Sequence, residues 1–364
     1  MYINEIKIEN FRNIDFMGIF PDKEINVIYG QNGQGKTNLL EAIWLFTGCK
    51  SFRTSKDSEL VQFEQENSKI SMSFQTEIRE NNAAIFIDKK RTANLNGVSL
   101  QSPRELIGKY YSVVFSPIHL SLIKDGPVNR RKFIDTAISQ TDNMYAKKLT
   151  YFNHLISQKN ALLKNAIENP SLLDTLDVWD EKIALAGAEV IVDRINYIKM
   201  LQTKATEIYS GISGEKEELK IKYLSNVRYE SEEKQDIARI YFESMQKHRP
   251  NDLYLKNTTS GPHRDDIEIL INGISARKFG SQGQQRSASL SLKLGEAEII
   301  KDLKGEHPVI LLDDVMSELD STRQNYILNK MTGKQVFITC CEKETVSRLC
   351  AGKVFRIENG KVVD

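Results

Sequence analysis

Ile25-Asn26-Val27-Ile28-Tyr29-Gly30-Gln31-Asn32-Gly33-Gln34-Gly35-Lys36-Thr37 runs a short apolar stretch into a glycine-rich octet. The octet, Gly30 to Thr37, fits G-x-x-x-x-G-K-[ST], the pattern of a phosphate-binding loop. Gly30, Gly33 and Gly35 let the backbone turn tightly. Its N–H groups, those of Gln31, Asn32 and Gln34 among them, can then point at phosphate oxygens. A predicted strand precedes the octet, and a predicted helix follows from about Thr37 to Phe46, adding the positive end of its dipole. Lys36 is expected to reach the β- and γ-phosphates of ATP, and the Thr37 hydroxyl to ligate Mg2+. The glycine order is wrong for the G-x-G-x-x-G of a dinucleotide-binding fold.

A second apolar run, Val309-Ile310-Leu311-Leu312, ends in Asp313-Asp314. Beside a phosphate loop this has the form of a Walker B strand. Asp313 would hold Mg2+ directly or through water, and Asp314 would orient or deprotonate the attacking water, so Asp314 and Lys36 are the candidate catalytic residues. A strand that simply ends in solvated acids is the alternative. Ser281-Gln282-Gly283-Gln284-Gln285-Arg286 precedes another predicted helix. The Ser281 hydroxyl, the Gly283 backbone and the helix end together make a second anion-binding feature, with a plain helix cap as the alternative. One nucleotide needs only one phosphate cradle. A second cradle far along the chain makes sense if it closes on the γ-phosphate held by another copy.

That combination, with Ser317-Glu318-Leu319-Asp320 in the place of a D-loop, resembles the ABC-type ATPases. Ile8-Glu9-Asn10-Phe11-Arg12-Asn13 resembles the start of their SMC-like branch, which works on DNA. Within that branch the chain is similar to the RecF family over essentially its whole length. Further marks of the resemblance are Phe115-Ser116-Pro117, Gly126-Pro127 with Arg130-Arg131, and Gly261-Pro262-His263-Arg264-Asp265-Asp266. It implies an α/β fold: an ABC-type ATPase head with a mixed β-sheet lobe and an inserted helical lobe. It also implies a head-to-tail, ATP-dependent homodimer. Lys36, Thr37, Asp313 and Asp314 would act on one nucleotide in one copy, while Ser281 and Gly283 come from the other. The implied partners are duplex DNA and its junctions with single strands, together with RecR and RecO in loading RecA at gaps. Two features depart from the usual ABC pattern. The second Walker B acid is Asp314 rather than Glu, and Thr339, Cys340 and Cys341 occupy the region of the switch histidine. A shorter carboxylate and no switch histidine predict slow hydrolysis, because proton transfer depends on reach and alignment.

The 364 residues, 40% hydrophobic and 27% charged, are enough for a sizeable core in two or three units. The expected division is an ATPase lobe from 1–122 and 304–364, with a helical lobe carrying the signature motif at 123–303. Alternation at Ile3–Ile8, runs at Ile70–Phe74 and Ala84–Ile87, and the Asn96-Gly97 turn predict a meander of short strands, with Tyr110–Phe115 as another strand. From about Ile118 to Gln246 the texture reads as helical. Leu149, Phe152, Leu155 and Ile156, then Leu176, Trp179, Ile183 and Val190, predict two long helices joined near Asn169-Pro170 as an antiparallel pair.

A net charge of +1 argues against a globally basic nucleic-acid coat but not against a local stripe. Between Ile123 and Lys164, eight basic residues stand against three acidic ones. Arg130, Arg131, Lys132, Lys147 and Lys148 are the DNA-contact candidates there, against the alternative of a solvated helix face, or, for Arg130 and Arg131, of serving the nucleotide or the lobe interface. Arg12 is a candidate nucleotide contact, with an ion pair or a stacked packing role as alternatives. His263 is either a site residue or a structural hydrogen-bonder. The four cysteines, Cys49, Cys340, Cys341 and Cys350, lack metal-ligand spacing and read as reduced thiols. No window approaches a bilayer-spanning apolar run, so a cytoplasmic protein is expected. A transporter's nucleotide-binding subunit and a nucleotide-gated scaffold that never hydrolyses ATP are the rival readings.

Overall fold

The structure, a computed structural model, describes residues 1–166, 168–341 and 352–363. The chain divides into two compact units: Met1–His119 with Ser210–Glu215 and Ser289–Asp364, and Leu120–Tyr209 with Lys216–Ala288. The second unit ends at Ala288, inside the helix Gln282–Lys304, whose later turns belong to the first unit and bury Leu290, Leu292, Leu294, Ile299 and Ile300.

Among the described residues the first unit holds two six-stranded sheets. One is an antiparallel meander in which Tyr2–Phe11 lies between Ile14–Ile19 and Ser68–Gln75, followed outward by Glu80–Ile87, Arg91–Leu95 and Val98–Leu100. Its strands alternate, with Ile3, Ile6, Ile8, Ile70, Met72, Phe74, Ile85 and Ile87 buried. Asn96 and Gly97, at φ 53° and 81°, make the tight hairpin that their identities predict.

The other sheet runs in the order Lys361–Val363, Lys353–Glu358, Ile25–Tyr29, Val336–Cys340, Val309–Asp313 and Ser112–Phe115. It is parallel except for the final Lys353–Glu358/Lys361–Val363 hairpin. Val309–Asp313 and Val336–Cys340 are buried at every position, which is why they read as unbroken apolar runs. The helix Lys36–Leu45 contributes Leu39, Leu40, Ala42, Ile43, Trp44 and Leu45 to a core shared with both sheets. The hairpin near the C-terminus was not anticipated, although Asn359-Gly360 between two alternating runs is a hairpin signal.

The second unit is mainly helical: Pro127–Thr141, Asn143–Asn165, most of Leu176–Ser213, and Lys234–Leu255. Ion pairs Lys148–Asp193 at 2.9 Å and Lys159–Asp180 at 2.7 Å fix two of these helices as antiparallel neighbours, since the partner number falls as the first rises. The expected helical texture is interrupted by a strand at Leu219–Leu224. There Leu219 and Ile221 are buried while Lys220 and Lys222 are exposed, a period of two. That strand pairs with Asp266–Ile271, which turns at Asn272-Gly273 into Ile274–Ser275.

Candidate functional site

Parallel pairing decides where the site lies. Cys340 is in register with Tyr29, and Asp313 with Thr339, so the residues that follow these strands all emerge at one edge of the sheet. The phosphate loop leaves Tyr29 at that edge. At Gly30 a side-chain carbon would lie 2.3 Å from the Ile357 carbonyl oxygen of the neighbouring strand, so only glycine passes. Gly35 holds φ 110° at the start of the helix, a region that L side chains rarely occupy. The sequence thus leads directly to the loop's shape.

Lys36, only 4% exposed, turns its ammonium back across the loop. It donates to the carbonyls of Gly30 at 2.7 Å and Gln31 at 3.0 Å and lies 3.3 Å from Cys341 Sγ. Thr37 Oγ1 donates to Asp313 Oδ1 at 2.7 Å, joining the loop to the Walker B strand. Asp313 also accepts from Thr339 Oγ1 at 3.0 Å and from Ser116 Oγ at 3.4 Å. Burial raises the Asp313 pKa, and the Thr37 and Thr339 hydroxyls oppose that rise. Asp314 stands at φ 51°, its N–H donating to Thr339 Oγ1 at 2.9 Å. Cys341 is exposed, with Sγ 3.0 Å from Asn32 Oδ1 and 3.8 Å from Asp314 Oδ1, while Cys340 is buried. A compact cation among backbone amides, beside a hydroxyl and a carboxylate, is a donor set that fits a nucleotide phosphate with a hard divalent ion. Cys350 lies outside the described residues.

Around the loop is a brace that the sequence reading missed. Asn13 Nδ2 donates to the Gly33 carbonyl at 2.8 Å, and Asn13 Oδ1 accepts from Asn38 Nδ2 at 2.7 Å. Gly360 N–H donates to the Gln34 carbonyl at 2.9 Å, and Asn359 N–H to Gln34 Oε1 at 2.5 Å. Arg53 Nη1 reaches Asn38 Oδ1 at 2.6 Å and Glu41 Oε2 at 3.1 Å. Arg12 grips the same fully buried Glu41 through Nε at 3.1 Å and Nη2 at 2.9 Å. Arg12 is thus paired with the helix that carries Lys36 and Thr37. Only the asparagines of a meander turn and a hairpin could have signalled this brace, and neither follows a phosphate-loop pattern.

In the second unit Ser281 caps the helix Gln282–Lys304. Gln284 N–H donates to Ser281 Oγ at 3.2 Å, and Ser281 N–H donates to Gln284 Oε1 at 2.8 Å, a reciprocal capping box. Ser281 is exposed and Gly283 half-buried in the first turn. Ser317, in the first unit, donates to the Asp314 carbonyl at 2.9 Å, and Asp320 caps the helix Ser321–Lys330.

The basic stripe separates into two kinds of residue. Arg130 is 3% exposed. It meets Asp266 through Nε at 2.6 Å and Nη2 at 3.0 Å, with Nη1 on the Leu122 and Asp125 carbonyls. Arg131 donates to the Asp265 carbonyl at 2.6 Å, Lys148 pairs with Asp193, and Lys159 is buried between Asp180 and Asp252. These four positions are committed to carboxylates and carbonyls of their own unit, whereas Lys124, Lys132, Lys147 and Lys164 are exposed. Helical spacing alone cannot distinguish the two groups, because the carboxylates lie 45 residues away for Lys148 and 136 for Arg130.

The Gly261–Asp266 segment is the knot of this unit. A side-chain carbon at Gly261 would sit 1.8 Å from the Tyr241 hydroxyl, and Arg194 joins the Pro262 carbonyl to Asp135 and Asp265. His263 Nε2 lies 3.0 Å from the Thr258 carbonyl, its ring 6.0 Å from Phe152. Burial lowers its pKa to about 4.

Residues 2–113 match the RecF/RecN/SMC N-terminal domain family. A DNA replication and repair protein RecF of Clostridium acetobutylicum is 39% identical over 370 residues, covering all of both chains. Its counterpart in Agathobacter rectalis is 40% identical over 371, covering 100% of this chain and 99% of the other. The chain belongs to the RecF family. A solved recombination mediator protein RecF with ATP, of the RecFOR pathway, is 40% identical, covers 100% of this chain and 97% of its own, and superposes with a TM-score of 0.93. The Smc head domain of Pyrococcus furiosus, 16% identical with a TM-score of 0.56, shares the ABC-type head fold. RecF family membership makes this a DNA replication and repair protein on an ATPase-type head. Among the described residues no helix is long and apolar enough to cross a membrane.

Proposed function

We propose that the chain binds ATP with Mg2+ through Gly30–Thr37 and Asp313, and dimerises head to tail on DNA. In this reading Ser281 and Gly283 of each copy complete the site of the other. The dimer hydrolyses ATP slowly and acts in the cytoplasm at duplex and single-strand junctions, assisting RecR and RecO in loading recombinase at gaps. The observation that carries the reading is the 2.7 Å hydrogen bond between Thr37 and Asp313, 276 residues apart. It gathers the Walker A hydroxyl and the Walker B carboxylate at one point beside the Lys36 ammonium.

Bound Mg2+ would supply charge neutralisation for the phosphates. The chain's own residues divide the remaining work. Lys36 would exchange its loop carbonyls for β- and γ-phosphate oxygens, and the loop N–H groups would hold the phosphates in line. Thr37 and Asp313 would hold the ion between them. Asp314, at the same edge of the sheet, would orient the attacking water and accept its proton. Its carboxylate is one methylene shorter than a glutamate's, which favours a slow step suited to a timed clamp.

Sedimentation velocity with and without ATP, together with ATP turnover with and without gapped duplex DNA, tests the reading. It predicts a monomer that becomes a dimer with ATP, and DNA-stimulated turnover below tens per second. A monomer under saturating ATP that ignores DNA contradicts it.

A further inference from the structure

Thr339 lies at the end of the Val336–Cys340 strand, fully buried, between the phosphate-loop strand and the Walker B strand. Its one hydroxyl makes two bonds of opposite sense. Oγ1 accepts from the Asp314 N–H at 2.9 Å and donates to Asp313 Oδ1 at 3.0 Å. The direction of the second bond is forced, since an ionised carboxylate can only accept. The first bond acts on backbone that needs holding. Asp314 sits at φ 51°, a left-handed conformation that few side-chain-bearing residues besides Asn and Asp adopt, and here the Thr339 hydroxyl holds its N–H.

We propose that Thr339 is the positioning residue of the hydrolytic step, aiming both Walker B carboxylates at once. One bond sets the face that Asp313 turns toward Thr37, and the other sets the turn from which Asp314 projects. This assignment rests on the hydrolysis reading above and extends it to Thr339, in the region where the usual ABC pattern has its switch histidine. The flanking residues on the strand offer no substitute. Ile338 carries no polar atom, and the thiol of Cys340 is a weak donor and acceptor. The hydrogen bonds of the Thr339 hydroxyl run to the Walker B pair, whereas nucleotide affinity rests on the loop N–H groups, Lys36 and Thr37. Losing the hydroxyl should therefore slow turnover and weaken the response to Mg2+ far more than it weakens nucleotide binding.

The test uses the full chain with Thr339→Val, which keeps the shape and removes the hydroxyl, and Thr339→Ser, which keeps the hydroxyl. Three quantities are read: steady-state ATP turnover against ATP and Mg2+, equilibrium binding of ATPγS, and the thermal melt. Partners that orient a metal-holding group are worth about 10- to 100-fold in activity. Thr339→Val should lose that much in kcat and need more Mg2+ for half-maximal rate, with ATPγS affinity changed less than about threefold. Thr339→Ser should stay within about threefold of the unaltered chain in all three readouts. Retained kcat in the valine variant overturns the assignment, as does a serine variant as impaired as the valine one. So does a loss of ATPγS binding equal to the loss of kcat. Absence of turnover in the unaltered chain is a separate result that removes the hydrolysis reading itself, and this assignment with it.

Discussion

Asp313 sits 5% exposed beneath three hydroxyls, and burial raises its pKa. A carboxyl whose folded pKa is raised favours the fold in its neutral form, and that contribution is lost as pH rises through the folded pKa. Charging Asp313 in the fold therefore costs stability, and on the proposed metal role that charge is what holds the cation. Asp313→Asn should melt no lower than the unaltered chain at pH 7 while losing turnover by about 100-fold or more, in line with the several kcal/mol a metal ion contributes. A clear fall in melting temperature would contradict this.

His263 has the opposite sign. Its folded pKa is lowered to about 4 from 6.5, so the stability it contributes is whole above pH 6.5 and is lost as pH falls toward 4. Urea denaturation between pH 7 and pH 4.5 should show His263→Gln losing about 2 kcal/mol less stability than the unaltered chain. Equal losses would show that His263 does not carry the effect. Arg130 provides a third check. Arg130→Gln strands Asp266 and should cost about 3 kcal/mol, whereas Lys147→Ala should leave the melt unchanged and weaken DNA binding.

At the scale of elements, the phosphate loop is only as rigid as the turns around it. Gly360, at φ 73°, would place a side-chain carbon 2.3 Å from the Asn13 carbonyl oxygen, and its N–H holds Gln34. Gly360→Ala should therefore push the hairpin off the loop and weaken ATPγS binding several-fold while the melt shows a folded protein. Unchanged binding would mean that the hairpin does not shape the cradle. This brace also marks the limit of sequence reading. The loop, its strand and its helix were legible because their chemistry is local: glycine for the turn, Lys-Thr for phosphate and metal, an apolar run for a buried strand. Asp313 was legible for the same reason. Asn13, Arg53 and Gly360 were not, since nothing local marks an asparagine or a glycine as belonging to a loop brought near only by sheet order. Leu219–Leu224 was missed for another reason. Its two-residue period is short and lies between long helices whose pattern dominates any wide window. The burial of Arg130 was not legible either, because it depends on Asp266, which no helical spacing connects to it.

At the scale of the molecule, the account rests on a site shared between two copies. Lys36, Thr37, Asp313 and Asp314 belong to the first unit, and the exposed cap Ser281 with Gly283 to the second. If Ser281 closes on the nucleotide of a partner, two differently damaged chains must repair each other. On the proposed roles, Asp314→Asn should remove the water-orienting acid and leave ATP binding intact, while Ser281→Arg should block the cap. Each variant alone should turn over ATP poorly at both sites of its dimer. The most direct measurement is the ATPase rate of an equimolar mixture of the two. Half of the dimers would then be mixed, each with one undamaged site, so the mixture should recover about a quarter of the unaltered rate. A rate equal to the mean of the two separate variants would contradict a shared site.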